Sequence, residues 1–325
     1  MADLKDVVDI HLAQDHAIIK LANGAFQTVQ YTDQEAKLRA LHKQLLVEHI
    51  PEANTLTKDF ALDWEGKRWR GHSYRHQNGW TIALRLIVKT IPKFEDLGVD
   101  GREITQCAAG QGLTLFCGPP GSGKTTVMAC CVNSLLEANR LGPTVTIEDP
   151  IEYVHDSPLI RQREIGTHVA SFEEGLIHAT REALDTIVIG EIRDAETARQ
   201  AVRAGLSGHR VLATMHGQKC SDAISRIWSL LDQHYAQLLP QAIQGVIALH
   251  LVRVQGRKPT PVYESLMVDQ AVRGLLGGPP EQRAAATTRL IHEQNRQKRK
   301  TLKERCEILV GQGYPEGELA RWLEA

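Results

Sequence analysis

Gly118-Pro-Pro-Gly-Ser-Gly-Lys-Thr125 satisfies the pattern GxxxxGK[ST], and its chemistry is the capture of phosphate anions. Gly118, Pro119, Pro120, Gly121, Ser122 and Gly123 form a turn whose glycines let backbone N–H groups close around a β-phosphate. Lys124 follows to reach the β and γ oxygens, Thr125 offers a hydroxyl to Mg²⁺, and Thr126 extends the phosphate-binding set into the next element. A pattern this short also arises by chance, so its context decides. The apolar run Leu113 to Cys117 precedes it and a helical stretch, Thr125 to Asn139, follows, pointing the positive end of a helix at the same anion. These residues predict a nucleoside triphosphate site.

A site that turns over its nucleotide also needs a carboxylate near the metal and a group to prepare water. Thr144 to Ile147 runs into Glu148-Asp149-Pro150, and Thr186 to Ile189 runs into Gly190-Glu191. In a parallel sheet, ligands gather at the carboxyl ends of the strands, which would aim Glu148, Asp149 and Glu191 at the γ-phosphate. A turn or helix cap is the competing reading for Glu148-Asp149-Pro150, and a solvated loop acid for Glu191. His216 ends a further apolar run, Arg210 to Met215, at the same edge of the sheet. There it could hydrogen-bond a phosphate oxygen, or be a structural histidine.

These side chains need a scaffold, and the pattern of short apolar runs joined by helical stretches supplies one. Leu113 to Cys117, Thr144 to Ile147, Thr186 to Ile189 and Val211 to Thr214 read as strands buried on both faces, the mark of a parallel α/β sheet over residues 106–255. Residues 1–100 read differently, as a small mixed domain. Asp33 to Ile50 has helical spacing and ends at Pro51, whereas Phe60, Leu62 and Trp64 begin a period of two. Turns at Gly66 and Asn78-Gly79 make the rest an antiparallel meander, and about 91–105 reads as a linker. Beyond Arg257 the pattern is helical, giving an extension over 256–325 that carries a basic stretch from Arg296 to Arg305.

Composition narrows the function classes. Of 325 residues, 42% are hydrophobic and 24% charged, which excludes wholesale disorder. The net charge of −1 gives no global field for nucleic acid, and no basic, aromatic-interleaved patch appears in the core. No apolar run approaches the roughly 18 residues that cross a bilayer, and Met1 to Ile10 carries Asp3, Asp6 and Asp9 without a signal-peptide core, so the chain reads as cytosolic. Six cysteines show no CxxC spacing and read as small buried hydrophobes. The basic stretch has two readings, the wet face of a helix or a contact with anionic lipid.

Four motifs in one order are more specific than any of them alone. Gly118 to Thr125, Thr146-Ile-Glu-Asp-Pro-Ile-Glu-Tyr153, Ile189-Gly-Glu-Ile-Arg-Asp194 and Ser207-Gly-His-Arg-Val-Leu-Ala-Thr-Met-His216 resemble the Walker A, Asp, Walker B and His boxes of type II/IV secretion ATPases. Ile160-Arg-Gln-Arg-Glu-Ile-Gly166 is similar to another segment of that family, and weaker similarity reaches back through Trp69-Arg70 and Arg85-Leu-Ile87. Within the family the chain most resembles the PilT-like branch, and there the DotB/TraJ-type ATPases of type IVB secretion and conjugation. The resemblance implies a RecA-like P-loop domain behind a PAS-like α+β domain, assembled as a homohexameric ATP-hydrolysing motor. It would be cytoplasmic, held peripherally at the inner membrane by proteins of a secretion or pilus complex, with no direct contact to nucleic acid.

Carried over by position, the resemblance gives Glu191 the polarisation of water and Glu148 or Asp149 a supporting role at metal and water. His216 becomes the γ-phosphate sensor, and Arg70 and Arg85 become candidate arginine fingers, for which a surface salt bridge is the competing reading. Arg193 could act similarly or pair with Asp194. Gly190 stands where many P-loop enzymes place a metal-binding Asp, which leaves Mg²⁺ dependent on Thr125 and water. Two other classes share the P-loop: a small-molecule kinase, and an ATP-dependent scaffold with negligible turnover.

Overall fold

Alternating apolar residues build the first sheet. The computed structural model describes residues 7–21, 25–31, 36–49, 56–87, 90–254, 257, 259–278, 289 and 300–323. By contacts the chain forms two units, Met1–Thr90 with Pro150–Val154, and Ile91–Asp149 with His155–Ala325.

In the first unit, β1 (Val7–Leu12), β2 (His16–Leu21) and β3 (Phe26–Gln30) precede α1 (Ala36–His49), then β4 (Thr57–Trp64), β5 (Lys67–His76) and β6 (Gly79–Ile87). The antiparallel sheet has the order β3-β2-β1-β6-β5-β4. One face carries Val7, Ile10, Ile19, Trp69, Ile82 and Leu84, and α1 covers it with Leu38, Leu41 and Leu45. The β4–β5 hairpin closes through Glu65 and Gly66, both at positive φ (51° and 70°), the turn whose twist suits paired strands. The expected meander forms, with β1–β3 added ahead of it.

The second unit is built on a seven-stranded sheet of order β13-β12-β7-β11-β10-β8-β9. Its strands are β7 (Gly112–Cys117), β8 (Thr144–Glu148), β9 (Ile160–Glu164), β10 (Thr186–Ile189), β11 (Arg210–Met215), β12 (Ile243–Val252) and β13 (Thr260–Met267). All pair in parallel except β12 with β13. The central strands β7, β8 and β10 are buried at every position, because helices cover both faces. Those helices include α4 (Lys124–Glu137), α6 (Ala195–Leu206), α7 (Cys220–Leu230) and α8 (Gln233–Ala242), with α5 (Phe172–Ala179) and α9 (Gln270–Leu276) beside them. All six cysteines are buried.

Three expectations are corrected here. The stretch 91–105 is not an unstructured linker: α2 (Phe94–Leu97) and α3 (Gly101–Ala108) occupy most of it, and the Cys130 thiol donates to the Pro92 carbonyl at 2.9 Å. Asp100 caps α3 by accepting from Arg102 N and Glu103 N. Nor is the chain uniformly helical beyond Arg257, because β13 is a strand there. It is an edge strand, which tolerates Pro261, and its buried Glu264 and Ser265 break the apolar run that would have advertised it.

The third correction concerns the basic stretch. Residues 296–299, with Lys298 and Arg299, lie outside the described residues. Lys300 and Lys303 are exposed, but Arg305 is not on a wet face. It lies on α10 (Leu302–Gly311), which α11 (Glu316–Leu323) follows. Its guanidinium meets Glu103 Oε2 at 2.6 Å and stacks over Tyr263.

Candidate active site

The P-loop leaves β7 and enters α4 with three glycines at positive φ, Gly118, Gly121 and Gly123. At Gly118 a Cβ would stand 2.3 Å from both Leu249 O and Ser122 Oγ, so only glycine fits. Gly123 is the N-cap of α4 and brings no side chain to it. Lys124 is buried, and its Nζ donates to the carbonyls of Gly118 and Pro119 at 3.0 and 3.1 Å. Ser122 Oγ is buried with no hydrogen-bond partner among the described residues. A buried hydroxyl left in this state is costly unless a ligand completes it.

Strand order brings the remaining candidates together. Neighbours β7, β11, β10 and β8 end, in that sequence across the sheet, at the P-loop, His216, Glu191 and Glu148-Asp149. Glu191 sits at the centre. Arg193 Nε donates to its Oε2 at 2.7 Å, and His216 Nε2 lies 2.9 Å from its Oε1, an ion-pair approach without hydrogen-bond alignment. Arg193 Nη1 lies 3.6 Å from Asp149, so Asp149, Arg193, Glu191 and His216 make one chain of polar contacts. Arg193 does not pair with Asp194, which caps α6 instead by accepting from Thr197 N at 2.8 Å.

Glu148 takes a different place from Asp149. It is buried, and its Oε1 accepts from Thr146 Oγ1 at 2.6 Å and from Gln162 Nε2 at 3.1 Å. Gln162 Oε1 accepts in turn from His155 N, and His155 Nδ1 lies 2.8 Å from Asn133 Oδ1 on α4. Burial pushes the His155 imidazole down to about 4, keeping it neutral at ordinary pH. Gly190 packs against this acid: a Cβ there would stand 3.1 Å from Glu148 Cα and 3.2 Å from Ile147 O.

Arg70 and Arg85 belong to the first unit. They are directly opposite in the β5–β6 register and line a cavity of about 390 Å³ with Asp9, His11, His72 and Glu152. Arg85 Nε donates to Asp9 Oδ1 at 2.8 Å, and that bond, with the Asp9 charge, raises the already high Arg85 pKa. The competing reading of a surface salt bridge thus describes Arg85, whose side chain is 73% exposed.

Gln162, His250 and Glu264 were not among the sequence candidates. Only Gln162 stood inside a quoted motif; the other two lie on strands whose local pattern gives no hint of a role.

A family model described as type II/IV secretion system protein matches residues 5–310. The chain belongs to that family. Among this secretion-family chain's relatives, the protein YggR of Escherichia coli is 40% identical over 67% of this chain and 69% of its own length. The type IV pilus retraction ATPase PilT of Pseudomonas aeruginosa is 32% identical over 68% of this chain and 66% of its own. The solved Legionella pneumophila ATPase DotB superposes with a TM-score of 0.80, covering 98% of this chain and 92% of that one at 24% identity. The pilus retraction motor PilT with bound ADP gives 0.79 at 27% identity, covering 97% and 93%. The second unit has the RecA-like ATPase fold of these proteins, preceded by a small α/β unit. Among the described residues, no helix is long and apolar enough to cross a membrane.

Proposed function

We propose that the chain is an ATP-hydrolysing motor of a type IV secretion or pilus system, of the type IVB or conjugation kind. It acts as a homohexamer on the cytoplasmic side of the inner membrane, docked on proteins of the secretion or pilus complex. The observation that carries the hydrolytic reading is Glu191, placed two strands from the P-loop strand and held between Arg193 and His216. A PilT relative and a PilT structure with bound ADP support the nucleotide.

The residues fit the ligand set. The Lys124 ammonium now rests on two carbonyls of its own loop, and phosphate oxygens are stronger, anionic acceptors for the same protons. Ser122 Oγ supplies a donor that has no acceptor among the described residues. Mg²⁺, held through Thr125 and water, would neutralise charge on the phosphates. Asp149 joins the Glu191 chain through Arg193, while Glu148, tied to Thr146 and Gln162, braces the strand end.

His216 has two acceptors to choose between. Its Nε2 lies against Oε1 of Glu191; an anion at the P-loop would compete for that Nε2 and free the carboxylate oxygen for water. Contact with the γ-phosphate is thereby linked to the availability of the base. Arg70 and Arg85 are the proposed fingers, supplying positive charge against the transferred phosphoryl group once Arg85 leaves Asp9. Lys300 and Lys303 suit either the wet face of a helix or a contact with anionic lipid, whereas Arg305 is committed to Glu103.

Gel filtration with ATP, paired with a phosphate-release assay, tests this function. A hexamer that releases phosphate slowly with no acceptor present is expected. A monomer that needs an acceptor would indicate a kinase, and an assembly without phosphate release a scaffold.

A further inference from the structure

The segment carrying His216 is held from below by two residues of strands that carry no sequence motif. A register row runs across four neighbouring strands from Glu264 on β13 to Ala248 on β12, Cys117 on β7 and Met215 on β11. Gly118 of the P-loop follows Cys117 directly, and His216 follows Met215 directly. Glu264 is therefore in line with the roots of both phosphate-facing loops, although it is distant from both in sequence.

Contacts from this row reach the loop itself. Glu264 Oε1 accepts from Cys220 N, at the start of α7, at 2.7 Å. His250, two residues beyond Ala248 on β12, donates from Nε2 to the Gln218 carbonyl at 2.6 Å. Asp222 takes the two preceding amides, Gln218 N and Lys219 N, at 3.2 and 3.0 Å. Gly217 closes the packing: a Cβ there would stand 3.3 Å from Ala223 N and 3.5 Å from Cys117 Cβ. The three successive amides of 218–220 are thus all held by carboxylates.

Glu264 is an expensive way to make one of these bonds. It is buried, no salt bridge to it is formed among the described residues, and burial raises its carboxyl above the ordinary range. An apolar side chain of similar size would avoid that desolvation but would leave the buried Cys220 N–H without its acceptor. What a carboxyl provides, and leucine cannot, is an acceptor fixed in place by a packed strand.

We infer that Glu264 and His250 are positioning residues that hold the 216–220 segment so that the His216 imidazole can reach both Glu191 and the γ-phosphate. The backbone of 218–220 is tied to β12, β13 and α7, two residues from the half-exposed His216 imidazole. This deepens the proposed function and rests on its assignment of His216.

The test is steady-state ATP hydrolysis by the full chain with Glu264→Leu, Glu264→Gln, His216→Ala and the double variant Glu264→Leu/His216→Ala. Misplacing a reacting group by about 1 Å costs up to about 100-fold, so Glu264→Leu should lower kcat by about 10- to 100-fold while KM for ATP moves much less. Glu264→Gln keeps the acceptor and should retain most of the turnover. Once His216 is gone, Glu264→Leu should cost less than about twofold more. An undiminished loss in that background, or a Gln variant as impaired as the Leu variant, overturns the inference while leaving the role of His216 standing. Normal turnover in His216→Ala alone removes the sensor assignment and the inference with it. Should Glu264→Leu not fold, His250→Leu with the same His216→Ala partner decides by the same criteria.

Discussion

Glu191 Oε1 and His216 Nε2 approach to 2.9 Å from the ends of adjacent parallel strands β10 and β11, so the proposed base stands against the proposed sensor. Glu191→Gln should keep ATP binding and lose at least about 100-fold in turnover, the scale of a positioned general base. Filter binding alongside phosphate release measures both; a Gln variant with normal turnover would show that water is activated elsewhere. Lys124→Ala should fail earlier, with nucleotide affinity lowered by roughly 10- to 100-fold through loss of charge-assisted hydrogen bonds.

Arg85 carries the sharpest ambiguity, because its partner Asp9 is in plain view. Arg85→Ala should reduce turnover by as much as about 10³-fold with little effect on nucleotide affinity. If the arginine merely neutralised Asp9, the double variant Arg85→Ala/Asp9→Asn would recover activity. We expect no recovery.

At Gly190, where many P-loop enzymes place a metal-binding aspartate, a side chain would be crowded. A Cβ would press on Glu148 Cα and the Ile147 carbonyl, both backbone atoms that cannot swing aside. Gly190→Ala should cost about 1–3 kcal/mol, read as a thermal midpoint lower by several degrees. Gly190→Asp should lose stability as well and gain no metal affinity. An aspartate variant as stable as the parent would show that the strand end yields.

His155 sets a pH dependence of stability. Its folded pKa of about 4 lies below the unfolded value of about 6.5, so between them the unfolded chain binds the extra proton. Stability from this group is full above the upper value and is lost as pH falls through the window, by up to about 3 kcal/mol. Buried His42 and half-buried His49 act in the same direction. Thermal midpoints measured from pH 7.5 to 5 should fall, and His155→Gln should flatten the slope; an unchanged slope would mean that the site is open to water.

The amino-acid sequence by itself determined the local chemistry: a phosphate loop between a strand and a helix, and acids that follow buried apolar runs. Such features need only neighbours in the chain, so periodicity and motif revealed the P-loop, Glu148, Asp149, Glu191, His216 and the parallel strands that carry them. Tertiary structure decided which of these groups meet. Strand order put β11 and β10 between the P-loop strand and β8, and so turned Arg193 toward Glu191 and Asp149 rather than Asp194. It also made an edge strand of Thr260–Met267 and aligned Glu264 with the roots of two loops, turned Arg305 inward onto Glu103, and gave Arg85 to Asp9. These pairings join residues far apart in the chain, and their energies depend on burial and register that no local pattern encodes.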